Sequence, residues 1–176
     1  MKRILFLLPI LFISCFAMAQ SAQDYGFSTE GVNVRWQKVF DSEAPFDSDR
    51  IIENLLSSGR CKNIQQVNGK IFCDLNIGRL VYEPLGYSRG RLPIYLTGGK
   101  FFAYIVIQIK EDRYRVTASP MGFSGDNAFV STLLEDQALK GESFNPNFTE
   151  PAAKIIDYNL TICLSWLNED RFGDDW

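Results

Sequence analysis

Four side chains at two-residue spacing carry the clearest chemical signal in this chain: Phe102 and Tyr104, then Arg113 and Arg115. Residues two apart on an extended strand point to the same side. If the chain turns back at Glu111 and Asp112, pairing Lys110 with Arg113, both pairs share one face. Aromatic rings beside guanidinium groups can dock a protein strand, an anionic glycan or a lipid headgroup by stacking and charge. Arg35, from an earlier strand, is a fifth candidate for that surface. The same side chains would also serve simply to solvate an exposed sheet, so type and spacing leave both readings open.

Other chemistry is constrained by an absence, for the chain has no histidine. Ser-His-Asp and Cys-His nucleophile activation and His-ligated zinc are thereby excluded. Carboxylate pairs survive as a catalytic option. Glu111 and Asp112 suit a hairpin tip, Glu83 precedes Pro84, and Asp126, Glu135 and Asp136 fall in a stretch rich in Gly, Asn and Pro. No spacing among them sets two acids about 5–10 Å apart across a cleft, as glycoside hydrolysis requires. Asp47-Ser48-Asp49 reads as a helix cap, and Asp126-Asn127 is too short for a calcium loop. Gly98-Gly99 leads into a strand, whereas a phosphate loop leads into a helix. No catalytic residue, metal site or cofactor is expected.

The N-terminus bears on where such a protein acts. Lys2 and Arg3, an apolar run over 4–14 and the small residues of Ala17-Met18-Ala19 form the three parts of a secretory signal peptide ending at residue 19. The run is too short to cross a membrane, which takes about 20 apolar residues in a helix. Export to the periplasm or beyond is expected, with lipid attachment at Cys15 as the alternative. The net charge is −3, and loss of Lys2 and Arg3 makes it more acidic, so bulk attraction to nucleic acid is not expected. Three cysteines follow the leader, Cys61, Cys73 and Cys163. Asn68-Gly69 is a hairpin turn, and pairing Val67 with Lys70 sets Ile64 opposite Cys73 and turns Cys61 to the other face. A Cys61–Cys73 disulfide then needs a bulge, so buried free thiols are the expectation.

The elements that position these residues follow from periodicity. Residues 20–31 are polar and aperiodic and read as a flexible leader. A single domain spans 32–168, near the usual length of about 100–200 residues. Val34, Trp36 and Phe40 alternate with Asn33, Arg35 and Gln37 as a half-buried strand, interrupted by Lys38. A short amphipathic helix around Ile51, Ile52, Leu55 and Leu56 ends at Gly59. The 64–75 hairpin and a longer hairpin over 101–118 follow. The second buries Phe101, Ala103, Ile105, Ile107, Tyr114, Val116 and Ala118, and turns Val106, Gln108 and Lys110 outward with the aromatic and arginine side chains. Residues 120–150 form an insertion, and Pro151 opens a helix carrying Ile155, Ile156, Asn159, Leu160, Cys163 and Trp166. A loose acidic tail occupies 169–176.

The resulting fold class is α+β, an antiparallel sheet in the order β-α-β-β-β-β-α with helices on one face. With Val34-Arg35-Trp36-Gln37-Lys38-Val39-Phe40 and Lys110-Glu111-Asp112-Arg113-Tyr114-Arg115-Val116-Thr117, the chain resembles an uncharacterised family of secreted bacterial proteins with a fold like TATA-binding protein (TBP-like). The resemblance covers about residues 32–119. It implies architecture and an envelope setting, supplies no activity and no site residues, and carries no implication of DNA binding. The functional expectation is therefore an exported non-catalytic module that binds an envelope protein or glycan through Phe102, Tyr104, Arg113, Arg115 and Arg35. A carboxylate-dependent glycan hydrolase and a self-associating structural protein, a homo-oligomer, are the alternatives.

Overall fold

In the computed structural model of the protein, the described residues are 21–41, 47–125 and 130–169. The expected signal peptide with Cys15, the acid Asp126, and the acidic tail beyond Glu169 lie outside them. Among the described residues, six strands form the body of a seven-stranded antiparallel sheet: β1 (Phe27–Glu30), β2 (Asn33–Asp41), β3 (Cys61–Val67), β4 (Lys70–Gly78), β5 (Lys100–Lys110) and β6 (Arg113–Ser124), in the spatial order β1-β2-β6-β5-β4-β3. Helix α1 (Ser48–Ser57) joins β2 to β3, and a short helix α2 (Ile94–Gly98) precedes β5. After β6 come β7 (Thr132–Leu133), α3 (Leu134–Ala138), the small hairpin β8 (Leu139–Lys140) and β9 (Ser143–Phe144), and α4 (Pro146–Phe148). The C-terminal helix is α5 (Lys154–Leu164). No helix among the described residues is long and apolar enough to cross a membrane.

Local chemistry explains the two hairpins. Asn68 and Gly69 both hold positive φ, 51° and 71°, as a two-residue turn matched to the sheet's twist requires, and Val67 faces Lys70. Lys110 faces Arg113 across the Glu111-Asp112 turn. The alternation then drives Phe101, Ile105, Ile107, Val116 and Ala118 into the core, each fully buried. Asp47 caps α1 by accepting from the Asp49 amide at 2.9 Å, and Ile51 and Leu55 are the buried side of that helix.

Four polar anchors hold α5 and its following turn to the covered face of the sheet. Asp157 accepts from Trp36 Nε1 at 3.0 Å and from Lys38 Nζ at 3.0 and 3.3 Å. Lys38 also donates to Thr161 Oγ1 at 2.8 Å. The charge that interrupts the β2 alternation thus lies on the covered side and is paired there. Asn159, 4% exposed, brackets Val81 like a neighbouring strand: its Oδ1 accepts from the Val81 amide at 2.9 Å and its Nδ2 donates to the Val81 carbonyl at 2.8 Å. Asn54 Nδ2 donates to the carbonyls of Leu167 and Glu169, and Tyr114 Oη donates to the Leu164 carbonyl.

Three expectations are corrected. Residues 20–31 are no flexible leader: Ala22 is buried, β1 pairs with β2, and Phe27, 1% exposed, meets Phe148 edge-on at 5.3 Å. A four-residue strand is too short to show periodicity. The 120–150 region is no excursion, because β6 runs on to Ser124, β7 pairs with it, and Leu134, Ala138 and Phe148 join the core. The helix expected from Pro151 is present: Glu150 has extended dihedrals (φ −134°, ψ 132°), and the helical turn after it runs on into α5 at Lys154. Cys61 faces inward, since β3 carries a bulge between Lys62 and Gln65 that restores its parity with Cys73 and Leu75.

Asp157→Ala leaves the Trp36 indole N–H, on a side chain 0% exposed, without its acceptor. The expected loss is about 2 kcal/mol of unfolding free energy, within the range for an unsatisfied buried donor. Urea denaturation checks it: the midpoint falls at unchanged slope, and Asp157→Asn, which keeps an acceptor oxygen, falls less.

Candidate functional site

With α1 and α5 on one side, the other face of the sheet is open. Its side chains fall into rows set by register. One row runs Val67, Lys70, Gln108, Arg115, Val39 across β3-β4-β5-β6-β2, and the next runs Gln65, Phe72, Val106, Thr117, Gln37. Beyond them Asp74 faces Tyr104, and Asn76 faces Phe102, itself opposite Gly122. All five residues singled out in the sequence therefore lie on this face, although they do not form one cluster. Tyr104 stands four residues from Gln108, the neighbour of Arg115, which is roughly 13 Å along the strand. The face has an aromatic half and a cationic half.

The aromatic half is Phe102, Tyr104 and Phe72. Tyr104 is 40% exposed, and its ring lies 6.3 Å from that of Phe72 in a tilted arrangement. Phe102 lies over Gly122: a Cβ there would sit 2.6 Å from Phe102 Cζ and 2.8 Å from the Thr132 carbonyl oxygen. The missing side chain of residue 122 is what lets the ring lie down on the sheet, half-buried. Phe72 was not singled out by sequence reasoning, though it was legible there. Ile71, Cys73 and Leu75 alternate inward, so the residue between the first two must point outward.

The cationic half surrounds a shallow concavity of about 380 Å³ lined by Val39, Gln108, Ile109, Lys110, Arg113 and Arg115. The two arginines are held differently. Arg113 is forked onto Asp112 at 2.9 and 3.0 Å, with Asp41 at 4.0 Å, and this pairing holds the Asp112 carboxyl below its usual range. Arg115 meets neutral amides instead. Its Nε and Nη2 donate to Gln108 Oε1 at 3.1 and 2.6 Å, and Gln37, with its side-chain amide turned over so that the oxygen faces the guanidinium, accepts from Nε at 3.0 Å and Nη1 at 3.3 Å. Among the described residues no carboxylate lies within 4.0 Å of it. The amides hold the guanidinium without supplying a counter-charge, and Arg115 lines the concavity. That is the geometry in which a fork binds a carboxylate or phosphate.

Arg35, opposite Ser28 of β1, lies one row beyond Gln37, away from this concavity. Its Nη1 pairs with Glu30 at 3.2 Å and its Nε is buried without a hydrogen-bond partner. A second concavity, of about 270 Å³, is lined by residues including Arg79, Tyr82, Glu83, Arg89 and Thr97. Neither concavity brings two carboxylates together.

Comparison with known proteins fits this architecture. No family model matches the chain, and no curated protein matches it. A solved structure does: a TBP-like protein from Parabacteroides distasonis, 13% identical, over 80% of this chain and 93% of that one, with a TM-score of 0.50. The chain thus has a TBP-like α+β fold, shared with a bacterial protein. At this identity the likeness extends to the fold alone.

Gly122→Ala is expected to destabilise the protein by about 1–3 kcal/mol, because both the Phe102 ring and the Thr132 backbone obstruct the new methyl group. Arg115→Ala, at an exposed side chain bonded to neutral amides, should stay within about 0.5 kcal/mol of the parent. Thermal denaturation of the two variants checks both.

Proposed function

We propose that this chain is an exported, non-catalytic binding module that engages a carboxylate-bearing protein partner in the bacterial envelope through its open sheet face. The observation that carries the reading is Arg115: a guanidinium held by the amide oxygen of Gln108 and by that of Gln37 once its amide is turned over, with no carboxylate within 4.0 Å among the described residues, and flanked by Val39, Ile109 and Lys110. Polar groups on a surface meant only for water need no such bracing. The aromatic half, with Tyr104 exposed and Phe72 and Phe102 half-buried, supplies stacking area about 13 Å along the strand from the charge, a spacing that suits a polypeptide better than a bare ion. The signal peptide features at 1–19 support export, and the absence of histidine from the sequence supports a role without imidazole chemistry.

The test is co-purification of the tagged protein from its native envelope fraction after mild crosslinking, with a Tyr104→Ala, Arg115→Glu variant of verified fold alongside. A protein captured by the parent and lost in the variant is the expected result. Equal capture by both, or capture only of acidic glycan by the parent, overturns the reading.

A further inference from the structure

The remaining chemistry lies on the covered side, where three thiols converge near the start of β3. Cys73 is 0% exposed and sits opposite Ile105 of β5. On its other side, β3 sets Cys61 against Leu75 and Lys62 against Asp74, then bulges before Gln65 meets Phe72. Asn63, within the bulge, adopts φ 52°. Because of that extra residue, Cys61 and Ile64 both face the core, where a regular ladder would turn them to opposite sides. Cys61 and Cys73 consequently lie diagonally across β3 and β4 on the same inner side of the sheet. Cys61 is 8% exposed, on a strand at the edge of the sheet, and Cys163 of α5, 6% exposed, is held by Arg60 Nη1 at 2.7 Å from its sulfur.

We propose that Cys61 and Cys73 are a redox pair that closes to an intramolecular disulfide by exchange with a low-molecular-weight or protein disulfide, leaving Cys163 as the thiol. The Cys61 thiolate attacks one sulfur of the oxidant's disulfide, and the expelled thiolate takes up the proton Cys61 has lost. The Cys73 sulfur then attacks Cys61 Sγ and expels the second half of the oxidant as a thiolate, which takes up the proton Cys73 has lost. Two cysteine thiols are oxidised, and one disulfide of the oxidant is reduced to two thiols.

The order follows from position. Cys61 stands at the edge, and hydrogen bonds from Cys73 and Ser58, with the Arg60 charge, pull its thiol below the usual value. The same contact with Cys61, together with burial, pushes Cys73 up, so it suits the resolving role. Burial also pushes the Cys163 thiol up, and the nearby Arg60 opposes this without reversing it. Closure adds a covalent link between the first residue of edge strand β3 and β4.

The test treats the purified chain with excess glutathione disulfide, quenches with acid, alkylates under denaturing conditions and maps tryptic peptides; Cys15, where retained, is read on its own peptide. The expected product links the Cys61-Lys62 peptide to the 71–79 peptide, with Cys163 alkylated. Cys73→Ser should stop at a glutathione adduct on Cys61, Cys61→Ser should form the Cys73 adduct at least tenfold more slowly, and Cys163→Ser should oxidise like the parent. A disulfide that includes Cys163, or full alkylation of all three cysteines after oxidation, overturns the proposal. Equal adduct rates in the two single variants overturn the assigned order. The parent's peptide map stands even where a serine variant folds poorly.

Discussion

The fold turns on the carboxylate of Asp157. It takes hydrogen bonds from a fully buried indole and a half-buried ammonium, both from β2, and thereby fixes where α5 lies across the sheet. An ion pair at this depth is not itself a large source of stability, because desolvation offsets much of its attraction. Its consequence is positional: the Trp36 indole N–H, on a side chain 0% exposed, has its acceptor only when α5 lies in this place on the sheet. Asn159 on Val81, Asn54 on the turn after α5, and Tyr114 on Leu164 act in the same way. Apolar burial supplies the bulk of the driving force, while these few polar contacts choose the register in which it is realised.

Sealing one face determines the character of the other. An antiparallel sheet needs only one packed side, and here the unpacked side carries rings at one end and an unneutralised arginine at the other. Arg113 and Arg115 show why sequence type is insufficient to define a site. They lie two residues apart on the same strand face, yet Arg113 is neutralised by Asp112 and Asp41 while Arg115 is braced by amides and keeps its charge. Fold likeness contributes nothing to that distinction, because TBP-like architecture says how the sheet is built and not what its open side meets.

Much of this was legible in the sequence. Asn68-Gly69 and Glu111-Asp112 fixed two registers, and register fixed which of Phe102, Tyr104, Gln108 and Arg115 point outward. What was illegible depended on contacts distant in sequence. Lys38 looked like a flaw in a strand pattern until Asp157, on the last helix, faced it. β1 was hidden because four residues cannot display a period, and its stability comes from Phe27 against Phe148. The bulge at Asn63, which reverses the side on which Cys61 lies, has no signature in a string where Asn serves equally well in a turn. Within the site, the separation of the aromatic and cationic halves and the two amides holding Arg115 follow from lateral pairing of strands that are not sequence neighbours. The Gly122 platform beneath Phe102 arises in the same way.

Hydroxyl-radical footprinting of the protein, in buffer and in native envelope extract, tests most directly whether the open face is the working surface. The account predicts that the extract protects Phe72, Phe102 and Tyr104, while Leu56 and Ile162, exposed on the helices, react as in buffer. Unchanged reactivity of the three rings, with protection at Leu56 and Ile162 instead, would contradict it and move the interaction to the helical side.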